Sequence, residues 1–95
     1  MNLGAVEIHA PRKIVLEALQ YISHGLALDL GCGFGRHSLL LASRGFAVTT
    51  LEPDAEKLES LQQKASQLGV SIRTENADVR DFDSHGIQYD LVLST

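Results

Sequence analysis

The residues best equipped for chemistry in this 95-residue chain sit at three places. In "ALDLGCGFGRHSLLLASRG" (27–45) an apolar run carrying Asp29 breaks into Gly31, Gly33 and Gly35, then resumes as leucines that stop at Gly45. Glu52 closes the run "FAVTTLE", and Asp78 lies in "NADV". Glycine accepts positive φ and lets another molecule come within van der Waals reach of the backbone. A helix starting just past Gly35 presents unpaired N–H groups and a partial positive charge, both suited to an anionic group. The three acids add acceptors for donors and cations. A bare strand-to-helix turn would need one glycine rather than three.

The spacing narrows the ligand. A dinucleotide fingerprint, G-x-G-x-x-G, requires its third glycine at position 36, where the chain has Arg36. A pyrophosphate would also gain less from so many acids. The phosphate loop of nucleotide hydrolases needs a Lys-Ser or Lys-Thr pair that is absent here. The spacing present is D-x-G-x-G-x-G, from Asp29 to Gly35. Each acid also has a plain structural reading. Asp29 would accept loop N–H groups, Glu52 would precede the Pro53 turn, and Asp78 would cap the turn after a strand. Cys32 reads as a small filler of the loop, since no basic partner can be named for it. The histidines (9, 24, 37 and 85) lack metal-ligand spacing. His37, in the first turn of the following helix, is a candidate to approach a ligand. Arg36 reads equally as a carboxylate contact or as a solvated side chain.

The elements that must hold these residues follow from periodicity. Pro11 opens a helix over roughly 11–23, in which Ile14, Val15, Ala18, Leu19 and Ile22 recur at three-and-four spacing. "LALDL" (26–30) is a buried strand. A helix over about 36–44 places Leu39, Leu40, Leu41 and Ala42 inside and ends at Gly45. A strand over 46–52 precedes a helix that Asp54 caps, that Gly69 ends, and whose inner face is Leu58, Leu61, Ala65 and Leu68. Strands over 70–75 and 89–95 flank a polar, irregular segment. Strands separated by helical stretches need right-handed crossovers. The fold class expected is therefore α/β, a doubly wound parallel sheet binding its ligand beyond the carboxyl ends of its strands.

A net charge of −4 and an apolar content of 44% fit one small soluble domain and argue against a nucleic-acid module. One cysteine excludes an internal disulfide. No apolar run approaches the ~20 residues of a membrane span, and no secretory signal is evident. The expected location is cytoplasmic.

With these residues in view, "LDLGCGFG" resembles the first motif of the class I S-adenosylmethionine-dependent methyltransferases, which have a Rossmann-like fold. "LDLGCGFGRHSLLLASRGFAVTTLE" with "YDLVLST" is similar to the tellurite-resistance (TehB-like) group within them. His37 replaces the asparagine of that group, and Glu52 its usual aspartate. The resemblance implies that S-adenosylmethionine is the cofactor and that its methionine part lies on the corner Asp29, Gly31, Cys32, Gly33, Gly35 and Arg36. It implies that Glu52, beside Pro53, accepts from both ribose hydroxyls. Asp78 and the Val79 backbone would read the adenine, and Ser94 would border the transferable methyl group. No metal site is implied.

The resemblance covers the cofactor half of the family fold, with 1–25 as a helical lead and 26–95 as the strand–helix core. The chain is expected to be a piece of a longer protein, truncated after a fourth strand, with catalytic residues unassigned and carried by the missing half. That last strand is expected to be an uncovered edge inviting self- or partner association. The function implied is methyl transfer to a small molecule, a thiol or a metalloid oxyanion. A non-catalytic S-adenosylmethionine-binding or scaffold subunit is the first alternative, and an NAD-dependent oxidoreductase a distant one.

Overall fold

"LALDL" became a central strand because almost nothing in it tolerates water. In the computed structural model, which describes residues 6–8, 12–31, 33 and 35–94, this strand is β2 (Leu26–Leu30), with Ala27, Leu28 and Asp29 buried. The other elements are β1 (Val6–Ile8), α1 (Arg12–Ala18), α2 (Arg36–Ser43), β3 (Ala47–Leu51), α3 (Ala55–Leu68), β4 (Ile72–Glu75), a 3-10 turn (Val79–Asp81) and β5 (Leu91–Ser94). Pro11, His9, Cys32 and Thr95, which figure in the sequence reading, lie outside the described residues, as does the Ile14 side chain.

All five strands run parallel in the order β1-β5-β2-β3-β4. Helices α2 and α3 serve as the crossovers from β2 to β3 and from β3 to β4. The register aligns the carboxyl ends: Leu30 pairs with Leu51 and with Ser94, and Leu51 pairs with Glu75. One residue further along, Gly31, Glu52 and Asn76 stand in a row at the end of the sheet.

The fold class matches the expectation, and two details of the sheet do not. The strand β5 is no edge, because β1 lies beside it with Val6, Glu7 and Ile8 opposite Leu91, Val92 and Leu93. That corrects the expected uncovered last strand and removes the free edge on which association was to rest. The missed strand has only three residues and no periodic signal of its own. It forms by pairing to a distant partner, and local pattern does not report such pairing.

The sheet's two faces are covered differently. Ala27, Val48, Ile72, Leu91 and Leu93 face Val15 and Leu19 near α1, Leu41 of α2, and Leu61 and Ala65 of α3 in one cluster. On the opposite face Leu28 and Val92 join Tyr89, Leu30 and Phe82 in a smaller cluster to which no described side chain of α1, α2 or α3 contributes.

Helix positions correct three further expectations. The inner face of α2 is His37, Ser38 and Leu41, whereas Leu39, Leu40 and Ala42 are half-buried. Leu68 is exposed, because the chain leaves α3 through Gly69 at φ 72°, and Val70 reaches the core instead. Regular α1 stops at Ala18, and bonds such as Ile22 N to Ala18 O carry the following turns. The Asp54 cap of α3 is present, its side chain accepting from Glu56 N at 3.0 Å.

Candidate functional site

The site is built where strands end and turns begin. Leaving β2, Gly31 adopts φ 72° and donates its N–H to Leu51 O at 2.7 Å, so the corner starts anchored to β3. Gly33, at φ 57°, donates to Glu52 Oε1 at 3.2 Å. A Cβ at Gly31 or Gly33 would meet no described residue within 4 Å, so among the described residues both sides are open. Gly35 is different: it is buried at φ 83°, and a Cβ there would collide with Leu61 Cδ1 of α3. Two glycines of the corner leave room beside the backbone, and the third lets α2 start against α3.

Glu52 is buried and held on both oxygens, with Asp54 N donating to Oε2 at 2.9 Å while Gly33 N occupies Oε1. A carboxylate offers about four acceptor sites, more than these two donors use. Its backbone is fixed as well. Glu52 N donates to Glu75 O at 3.0 Å, and Asn76 Nδ2 donates to Glu52 O at 3.1 Å and to Pro53 O at 2.9 Å. Asn76, quoted in "NADV" for its neighbour, is a residue that reasoning from the sequence missed. A polar amide directly after a strand was its only signal.

Asp29 is the most deeply placed of the acids, only 1% exposed. Its Oδ2 accepts from the Ser38 hydroxyl at 2.6 Å, and the Ser38 hydroxyl lies 2.7 Å from Thr50 Oγ1. Its Oδ1 is buried with no hydrogen-bond partner among the described residues. Burial pushes the Asp29 carboxyl above the ordinary aspartate value, and Glu52 nearby adds to this. Hydrogen bonds from the Ser38 hydroxyl and backbone, and the charge of His37, work against that rise. Ser38 and Thr50 were also missed, their signal being polar residues inside otherwise apolar segments.

Asp78 caps the 3-10 turn, accepting from Arg80 N at 2.9 Å. Its two oxygens also receive the Arg80 guanidinium, Nε at 3.1 Å on Oδ1 and the terminal nitrogen at 3.3 Å on Oδ2. These hydrogen bonds hold its carboxyl below the usual range. Asp78 stands two residues beyond Asn76. The structure therefore bonds Gly33 to Glu52 and Gly31 to Leu51, holds Asp29 separately through Ser38, and leaves Asp78 engaged with its own neighbour. Arg36, Pro53 and Val79 are exposed and Ser94 is half-buried at the end of β5. A groove of about 760 Å3 lies between Thr49, Arg73 and the segment from Phe82 to Tyr89, and none of the described corner residues lines it. Among the described residues no group of His, Cys, Asp and Glu is placed to hold a metal ion.

Comparison with known proteins adds the following. Residues 4–95 match the family described as "Tellurite resistance protein TehB". The probable S-adenosyl-L-methionine-dependent methyltransferase TehB of Haemophilus influenzae (strain 10810) is 34% identical over 83 residues, covering 85% of this chain and 28% of that protein. The crystal structure of TehB from Haemophilus influenzae superposes with a TM-score of 0.76 at 31% identity, over 93% of this chain and 31% of that one. Coclaurine N-methyltransferase, solved with N-methylheliamine and SAH, shares the fold with a TM-score of 0.73 at 21% identity, over 85% of this chain and 25% of that one. The chain thus spans between a quarter and a third of the length of these proteins.

Proposed function

The chain belongs to the TehB family of tellurite resistance proteins, and from that premise we propose that it is the S-adenosylmethionine-binding part of a methyltransferase acting on a small molecule. The observation that carries this reading is the buried Oδ1 of Asp29, an acceptor with no donor among the described residues, beside two glycines on which a Cβ would meet none of those residues within 4 Å. An unsatisfied buried carboxylate oxygen costs the fold free energy unless a ligand completes it.

The residues present fit that cofactor. Asp29 suits its ammonium group, the Glu52 carboxylate suits the ribose diol, and the sides of Gly31 and Gly33 that a Cβ would occupy admit the methionine chain. Asp78 and the Val79 backbone suit the adenine, with the carboxylate shared with Arg80. When bound, S-adenosylmethionine supplies an activated methyl group with a neutral leaving group. The chain's own part is to orient and to exclude water, which is where the rate enhancement of such a displacement arises. A soft anionic acceptor, a thiolate or a metalloid oxyanion such as the family description suggests, needs no strong general base. No residue of this chain is assigned a catalytic role. We place the protein in the cytoplasm; among the described residues no helix is long and apolar enough to cross a membrane.

Titration calorimetry with S-adenosylhomocysteine tests the reading. The expected result is binding that Glu52→Gln weakens by roughly tenfold, because the diol loses a charge-assisted acceptor. Gly33→Arg should abolish it by filling the open side of the corner. No heat from a sample whose thermal unfolding is cooperative would overturn the assignment.

A further inference from the structure

A buried carboxylate that a ligand must find charged and correctly aimed needs something to hold it so. Ser38 and Thr50 are the groups in place. Both are 0% exposed and lie on the helix-bearing face of the sheet. Thr50 is the register partner of Asp29 on β3, and Ser38 is the third residue of α2. The direction of their hydrogen bonds follows from chemistry. An ionised carboxylate only accepts, so the single hydroxyl proton of Ser38 goes to Asp29 Oδ2. The 2.7 Å contact between the two hydroxyls then has Thr50 as donor and Ser38 as acceptor. The result is a series, Thr50 to Ser38 to Asp29, in which each bond polarises the next.

We propose that Ser38 and Thr50 are positioning residues of the ligand site: in series, their hydroxyls fix Asp29 through Oδ2, favour its charged form, and leave Oδ1 for the cationic group of the ligand. The identity of that ligand rests on the reading above; the hold on Asp29 does not. The other groups bearing on Asp29 are His37 from α2, whose charge favours the carboxylate, and Glu52 at the end of β3, which opposes it. From β5 the facing residue is Leu93, which is apolar. The two hydroxyls are therefore the neutral donors that offset burial. They also explain why a serine and a threonine occupy core positions between leucines. A packing role alone would be served equally by alanine and valine.

Two measurements test this on the whole chain. Carboxyl carbon-13 titration of Asp29 by NMR, without ligand, should show its midpoint moving upward by about one pH unit in Ser38→Ala, equivalent to tenfold in proton affinity. Thr50→Val, nearly isosteric, should give a smaller upward shift, and Thr50→Ser should restore the wild-type midpoint. Affinity for S-adenosylhomocysteine, measured across pH, should fall roughly tenfold in Ser38→Ala and several-fold in Thr50→Val. The acid limb of the profile should move in step with the titration, and Asp29→Asn should remove it. Adding Thr50→Val to Ser38→Ala should change little, since the two act in series. An Asp29 midpoint unmoved in both Ser38→Ala and Thr50→Val overturns the proposal whatever the ligand does. A drop in thermal midpoint with an unmoved acid limb overturns it as well. Midpoint shifts that match the expectation in a chain whose wild type does not bind the nucleoside support the hydroxyl series and overturn only the choice of ligand.

Discussion

The carboxyl of Asp29 has one oxygen bonded to Ser38 and the other facing no donor among the described residues, in a buried place. Its proton affinity in the folded chain is above the unfolded value of about 3.9. The folded state then binds more protons than the unfolded state between those two values. Stability therefore falls as pH rises through that window, and above it the cost of the buried charge is present in full. Asp29→Asn should raise the thermal midpoint at pH 7, because it removes a buried charge, while weakening binding of the cationic ligand. Calorimetric scans of both proteins check the first half, and an unchanged or lower midpoint in the variant contradicts it. Asp78 offers a contrast. Its carboxylate is satisfied by Arg80 in a wet setting, where such pairs hold weakly. Arg80→Gln should leave stability unchanged and tighten binding of an adenine-bearing ligand by no more than a few-fold, as a titration would show.

At the scale of elements, the corner works because three glycines do different things. Gly35 is where helix packing and backbone conformation meet: its φ of 83° disfavours any side chain, and Leu61 fills the space that a methyl would need. Gly35→Ala should cost about 2–4 kcal/mol by combining left-handed strain with overpacking. Leu61→Ala alone should cost about 2–5 kcal/mol. The double variant should be less destabilised than the sum, because the clash disappears with the leucine. Urea denaturation of the four proteins measures that coupling, and strict additivity would show that Leu61 is not the obstacle. Ends of elements were largely readable beforehand: the Asp54 cap, the left-handed Gly69 and the β2 strand stand within a residue or two of where local chemistry puts them. The inner face of α2 was not. A run of three leucines predicts burial, yet the helix turns His37, Ser38 and Leu41 inward, because Ser38 must reach Asp29 and Thr50.

Over the whole molecule, the sheet's carboxyl end gathers the site, while among the described residues Phe82 and Tyr89 are what cover its opposite face. Amide hydrogen exchange should follow that division. The β2, β3 and β5 amides are expected to exchange most slowly, and the segment 79–90 to exchange fastest among the described residues after β1. Added S-adenosylhomocysteine should slow exchange at 31, 33 and 52–54 and leave β1 unaffected. Protection centred on the groove beside Arg73 instead would relocate the ligand.

What the amino-acid order determined by itself is local: which stretches are strands and helices, where they stop, and that an acid and a glycine corner stand between two apolar segments. Those are effects of periodicity, capping and backbone freedom acting within a few residues. Only the tertiary structure decided that β1 closes the flank of β5, that Gly33 donates to Glu52, and that Ser38 and Thr50 serve Asp29. Each of these joins residues brought together only when the strands align, and strand alignment is decided by burial across the whole sheet.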